Sequence, residues 1–332
     1  MDNRLPVYSY PTLTVLIDDS RSFLDSLAFQ MNPRLGLKSF QNALEMLDWL
    51  RDARRFSAIG EPVYAKSDEL PQFFERQSAS IDLSQIYHIA TNGQRFGLPT
   101  VLVVDYAMPG MNGLELCRAV QDLPCKKILL TGQADEKIAV EAFNCKLIDR
   151  FIKKQDPNAM NLLEREIFKL QKEFFIERTS TLKNLLLDEA YSFLSDPAMA
   201  SLVAKVGSRY RFVEHYLFPH PSGILFFDIR GKATLMVIET KTGLISHTEI
   251  AEDQHAPPEL LSALREFRLV PFFSDTCGMY SDTIGCDWLS YCLPPQVCRG
   301  RQDYYWALFD LPSHYMKGPV YSYTEFLRSK PV

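Results

Sequence analysis

The chain has 332 residues, 46% hydrophobic and 23% charged, an ordinary globular composition at a length that holds two domains. Its net charge is −5 with no basic tail, which disfavours nucleic acid as a partner. No run of roughly 18 or more apolar residues occurs, so no membrane-spanning helix is expected. The first six residues lack the apolar core of a signal peptide, and a cytoplasmic location is expected.

The first predicted strand, Thr12–Ile17, is apolar and ends in Asp18 and Asp19 before a helical pattern of Phe23, Leu24, Leu27, Ala28 and Met31. Adjacent acids at a strand end repel each other unless they share a cation. A second strand (Gly36–Phe40) and helix (Ala43, Leu44, Met46, Leu47, Leu50) follow and end near Arg54. Asp19 and Asp105 are 86 positions apart, which leaves a surplus at about residues 55–99. Its Phe73, Phe74, Ile81, Leu83, Ile86, Tyr87 and Ile89 predict an ordered insertion of one or two short helices on the sheet edge, because such residues are not those of disorder.

The run Val101–Val104 is short, apolar and largely β-branched, and it delivers Asp105 directly into the turn Met108-Pro109-Gly110-Met111-Asn112-Gly113. That pattern reads as a buried parallel strand carrying an acid to the carboxyl edge of an α/β sheet, where open sheets bind ligands. Lys127–Leu130 then ends in Thr131, and Leu147–Ile152 ends in Lys153 and Lys154. Three acids on neighbouring strand ends make an oxygen-rich pocket of the kind Mg²⁺ accepts.

An acid pair, an acid, a hydroxyl and a lysine at four successive strand ends resemble the receiver domains of two-component response regulators. The run Asp105-x-x-Met108-Pro109-Gly110-x-x-Gly113 is the most specific part of the likeness. The resemblance implies a flavodoxin-like (βα)5 receiver over residues 11–178, with the insertion between its second helix and third strand. It implies that Asp105 accepts a phosphoryl group from a sensor histidine kinase or phosphotransfer protein. Mg²⁺ would be held by Asp19, Asp105 and the Ala107 carbonyl, with Asp18 acting through water. Thr131 would bond a phosphoryl oxygen, and Lys154 would neutralise the transferred group. Lys154 is preferred to Lys153 because it stands three residues after the aromatic Phe151. Phe151 would move with Thr131 as a switch, and Ala107 and Gln133 would tune attack by water on the acyl phosphate. The residue after Lys154 is Gln155, where the family usually has Pro.

Beyond Pro157, Met160, Leu163, Ile167, Leu170 and Phe174 repeat at 3-4 spacing. This spacing suits equally a coiled-coil-like seam and one amphipathic helix covering a domain. With the seam, a homodimer conditional on phosphorylation is expected. The pattern breaks at Glu177 and Thr181 and resumes as Leu182, Leu185, Leu186, Ala190 and Phe193, a linker helix at 179–195.

Residues 196–332 predict a smaller α+β output domain, loosely PAS-like. A hairpin joins Gly223–Asp228 to Ala233–Ile238, helices are expected at Met199–Leu217 and Pro258–Phe267, and strands at Leu269–Phe273 and Tyr304–Phe309. The region has 13 Lys+Arg against 15 Asp+Glu and no basic helix-turn-helix face, Gly-rich phosphate loop or metal-hydrolase pair. The expected chemistry is therefore confined to self-phosphorylation and dephosphorylation at the receiver, with the activity of the output left open. Its Cys277, Cys286, Cys292 and Cys298 lack the paired close spacing of structural zinc sites and read as reduced thiols. His215, His220, His247, His255 and His314 show no i, i+4 pairing. The whole chain is similar in plan to response regulators of α-hydroxyketone quorum-sensing systems. Signalling through protein contacts or dimerisation is the leading reading. The alternatives are a DNA-binding regulator of atypical fold and a small-molecule-binding or enzymatic output.

Overall fold

The computed structural model describes residues 4–53, 82–132, 136–186, 189–276 and 278–329. These fall into two compact units. One comprises the described residues of 10–59, 93–178 and 323–332; the other comprises those of 1–9, 60–92 and 179–322.

The first unit is built on five parallel strands in the order Gly36–Phe40, Leu13–Ile17, Pro99–Asp105, Lys126–Thr131, Arg150–Lys153. This is the doubly wound arrangement in which ligands bind beyond the carboxyl ends of the strands. The three central strands are buried almost throughout, as their unbroken apolar runs require. Helices Arg21–Gln30 and Ala159–Arg178 share one core with the sheet: Leu24, Leu27, Leu163, Ile167 and Leu170 meet Leu16, Val103 and Ile128.

That cluster decides the reading of the 3-4 repeat. Leu163, Ile167 and Leu170 are fully buried against the sheet of their own unit, so they form no free seam between copies. A stripe that covers a sheet and a stripe that meets a second helix have the same spacing, and the sheet has taken this one. The helix stops at Arg178, and a short helix (Ser180–Leu185) and a 3₁₀ segment (Glu189–Ser195) follow in the second unit.

The output domain expected over residues 196–332 ends earlier than its sequence suggests, at Ser322. Helix Tyr323–Ser329 belongs to the first unit. The Tyr323 hydroxyl donates to the Arg34 carbonyl at 2.6 Å, and the rings of Tyr323 and Phe326 lie 5.0 and 5.5 Å from that of Phe96.

The second unit is an antiparallel six-stranded sheet. Its order is Tyr8–Ser9, Phe212–Phe218, Gly223–Asp228, Ala233–Glu239, Asp303–Asp310, Gln296–Arg299. The hairpin forms where the sequence predicted it, with Gly231 at φ 83° and Asp228 Oδ1 accepting from the Arg230 and Lys232 amides. The helix expected at Met199–Leu217 instead spans Pro197–Tyr210, and Phe212–Phe218 is a strand. Asp196 caps the helix start, and Arg211 ends it in the left-handed conformation at φ 59°. Helix Lys241–Asp253 was not anticipated, because its Thr, Gly, Ser and His blur the apolar stripe. It packs with helix Pro258–Arg265 around Ala251, Leu260, Leu264 and Phe273.

Of the expected insertion, residues 54–81 lie outside the described residues. Helix Ser84–His88 lies in the second unit and packs on its antiparallel sheet, with Tyr87 4.8 Å from Phe218, while the 3₁₀ turn Gly93–Gly97 lies in the first unit. No described helix is long and apolar enough to cross a membrane.

Candidate functional site

Asp18, Asp19 and Asp105 meet at the carboxyl edge of the parallel sheet, each with a carboxylate oxygen within 4.8 Å of the others. They stand at the ends of neighbouring strands paired in register from Thr14–Val101 to Ile17–Val104, so the backbone ladder itself sets their separation. Asp18 and Asp105 are 2% and 4% exposed, and Asp19 is open to solvent.

Lys154 completes the cluster. Its Nζ donates to Asp18 Oδ2 at 2.7 Å and lies 2.9 Å from Asp105 Oδ1. Its backbone N–H donates to the Thr131 carbonyl at 2.9 Å, which fixes the lysine at the strand end. The Lys154 ammonium thus stands between the two buried acids.

Two residues that position this arrangement were not picked out as site residues in the sequence. Ser20 caps helix Arg21–Gln30, and its N–H donates to Asp18 Oδ1 at 2.9 Å, so both oxygens of Asp18 are held. Phe23 presents its ring 4.4 Å from the Lys154 ammonium, a favourable cation–π geometry. The signal for Ser20 was present, a Ser just before an apolar helical pattern. Nothing local distinguishes Phe23 from a core aromatic.

Asp105 leads into a turn built by its sequence. Gly110 takes φ 80°, and Asn112 and Glu115 form a capping box for helix Gly113–Ala119. Gly113 is required by close approach, since a Cβ there would lie 2.2 Å from the Asp105 carbonyl oxygen. Burial pushes the Asp105 carboxyl above its usual range, and the bonds from Lys154 oppose that only in part. For Lys154, burial acts downward, but the bonds to Asp105 and Asp18 outweigh it and hold the ammonium above its ordinary value.

Thr131 is fully buried, and its hydroxyl has no hydrogen-bond partner among the described residues. An unsatisfied buried hydroxyl costs free energy unless an acceptor reaches it. Phe151 is half-buried, with its ring 6.4 Å from Phe143 on helix Glu136–Asn144. Ala107 is exposed just past Asp105, and its backbone N–H bonds the Asp105 carboxyl. Gln133 lies outside the described residues.

The donor set fits a divalent cation. Three carboxylates face one ammonium, and hard oxygen ligands of this kind suit Mg²⁺. Among the described residues this is the one group of three or more metal-ligating side chains so placed. Of the output cysteines, Cys286 is exposed, Cys292 is buried and Cys298 intermediate, while Cys277 lies outside the described residues.

The family model for the response regulator receiver domain matches residues 67–164, a span that contains Asp105, Thr131 and Lys154 but begins after the acid pair. The chain carries a response regulator receiver domain. Over its full length it is similar to the Legionella pneumophila response regulator LqsR. The two are 29% identical, with a TM-score of 0.78 over 97% of this chain and 95% of that one. Solved structures also include an adenylate cyclase from Rhodopirellula baltica, 21% identical over 53% of this chain and 97% of that one, at TM-score 0.34. The receiver domain of a putative Luxo repressor protein from Vibrio parahaemolyticus is 13% identical over 54% of this chain and 99% of that one, also at 0.34. No curated protein matches the sequence.

Proposed function

We propose that this protein is a response regulator whose Asp105 accepts a phosphoryl group from the phosphohistidine of a sensor kinase or phosphotransfer protein. The observation that carries the reading is the buried Asp105, bridged to Asp18 by Lys154, with a Thr131 hydroxyl that has no partner among the described residues.

In the proposed step a carboxylate oxygen of Asp105 attacks phosphorus. The bond from phosphorus to the donor's imidazole nitrogen breaks, and that nitrogen leaves with the electron pair. An acyl phosphate results. Mg²⁺ held by Asp18, Asp19, Asp105 and the Ala107 carbonyl would supply charge neutralisation for the phosphoryl oxygens. Lys154 transfers its hydrogen bond from Asp105 to a phosphoryl oxygen. The Thr131 hydroxyl donates to another, which satisfies a group the resting protein leaves unpaired. Phe151 follows Thr131 inward and alters the face of helix Glu136–Asn144 bearing Val140 and Phe143, which are 39% and 42% exposed.

That exposed face replaces the buried Leu163–Leu170 stripe as the surface for a phosphorylation-dependent homodimer. The output unit then acts through protein contacts. The likeness to a response regulator over the full length supports a regulator of the same plan; a place in α-hydroxyketone quorum sensing rests on the resemblance in plan that the sequence itself offers.

Intact-mass spectrometry after incubation with acetyl phosphate and Mg²⁺ tests the acceptor. The protein should gain one phosphoryl group, and Asp105→Asn should gain none while keeping its fold. Stoichiometric uptake by Asp105→Asn would place the acceptor elsewhere.

A further inference from the structure

A lysine ammonium has three N–H donors, and two of those of Lys154 are engaged by Asp18 Oδ2 at 2.7 Å and Asp105 Oδ1 at 2.9 Å. The ring of Phe23 lies over the same nitrogen, with its centroid 4.4 Å from Nζ. The Lys154 side chain is 27% exposed, so it has access to water. Phe23 is half-buried and packed against the core that Leu24 and Leu27 share with the sheet.

The turn that holds Asp18 also places this ring. The Ser20 N–H donates to Asp18 Oδ1 at 2.9 Å, and Ser20 Oγ accepts from the Phe23 N–H at 3.3 Å. Asp18, Ser20, Phe23 and Lys154 thereby close a circuit of contacts, which returns to Asp18 through Nζ.

The partners of the ammonium differ in one respect. Asp18 and Asp105 belong to the acid cluster on which a divalent cation would draw. A cation that takes up their charge loosens both bonds to Lys154, and an ammonium on a flexible four-carbon stem then turns readily toward water. Mg²⁺ takes oxygen ligands, so the aromatic face is not drawn into that competition. Its attraction for the ammonium comes from the ring quadrupole and persists when the carboxylates are shared.

We infer that Phe23 is a positioning residue for phosphoryl transfer, its ring keeping the Lys154 ammonium beside Asp105 while a cation occupies the acid cluster. The inference rests on Asp105 as the phosphoacceptor. Leucine at this position would fill the space without holding the charge.

Full-length protein labelled with ¹⁵N at lysine Nζ gives a readout that needs no phosphate. Protons over an aromatic face are shielded. The Lys154 ammonium signal, identified by its loss in Lys154→Met, should therefore stand upfield of the other lysines with and without MgCl₂. In Phe23→Leu it should join them. The second readout is the rate of phosphorylation by acetyl phosphate at saturating MgCl₂. Phe23→Leu should slow it about 3- to 20-fold, and Phe23→Tyr, which keeps the aromatic face, should retain the parent rate. Trifluorophenylalanine at position 23 keeps the ring's shape but weakens its quadrupole, so it should slow the rate as Leu does without disturbing the fold. A Lys154 signal among the ordinary lysines in the parent protein would overturn the inference. A parent-like rate with trifluorophenylalanine would overturn it alone, since the ring would then only fill space. A parent protein that takes up no phosphoryl group would overturn the acceptor reading and this inference with it.

Discussion

Replacing Lys154 with Met removes the one ammonium that bonds both buried acids while keeping most of the side chain's volume. Its Nζ stands 2.7 Å from Asp18 and 2.9 Å from Asp105, and the acid side chains are 3% and 6% exposed. At an effective dielectric of about 20, each contact is worth roughly 6 kcal/mol of gross attraction, most of which desolvation offsets. Removing one partner of a fully buried pair costs about 3–5 kcal/mol. The Lys154 side chain is 27% exposed, and discounting for solvent leaves about 2–3 kcal/mol. Urea unfolding in EDTA should show that loss. In the variant Mg²⁺ no longer competes with an ammonium for the same carboxylates, so adding MgCl₂ should restore more stability than it adds to the parent protein. Phosphorylation by acetyl phosphate should nonetheless slow by about 100-fold or more, since the group opposing the charge on the phosphoryl oxygens is gone. Equal Mg²⁺ increments in the two proteins, or no destabilisation in EDTA, would refute the claim that Lys154 and the cation share one charge cluster.

Leu163→Ala should cost about 2–5 kcal/mol in thermal or urea unfolding of the monomer, whereas a side chain serving only between copies would leave monomer stability unchanged. Gln133→Ala should lengthen the acyl-phosphate half-life, because Ala107 offers no side chain to orient the attacking water; an unchanged decay rate would remove Gln133 from that role. Among the thiols, exposed Cys145 and Cys286 should react quickly with a thiol reagent at pH 8. Burial pushes Cys125 up to about 11 and Cys117 and Cys292 up to about 12, so these should react only on unfolding. The same shifts carry a sign for stability. The folded thiols keep protons that the unfolded chain releases, so stability should fall as pH rises above about 9, the range of an ordinary thiol.

The receiver site was legible in the sequence because each of its groups ends an apolar strand, and the strand ladder does the rest. Asp18, Asp105, Thr131 and Lys154 are far apart in the chain, yet local pattern and turn chemistry suffice to place each at the same sheet edge. The output unit resisted for the opposite reason. The helix ending at Tyr210 has no glycine to mark its stop, and Arg211 enters the left-handed region without any signal in its residue type. The expected helix therefore ran on through Phe212–Phe218, a strand whose last three residues, Tyr216–Phe218, are all buried. The stripe at Leu163, Ile167 and Leu170 named a buried face but not what buries it.

The short strand Tyr8–Ser9 pairs with Phe212–Phe218 in the antiparallel sheet, while helix Tyr323–Ser329 closes on Phe96 and Arg34 beside the parallel one. Each unit therefore borrows a segment from the far end of the chain, and no single cut yields both intact. A fragment ending at Arg178 would uncover Phe96 and the Gly36 strand; one beginning at Thr179 would lack the edge strand at Tyr8. A receiver wired in this way cannot be passed between genes as a contiguous cassette.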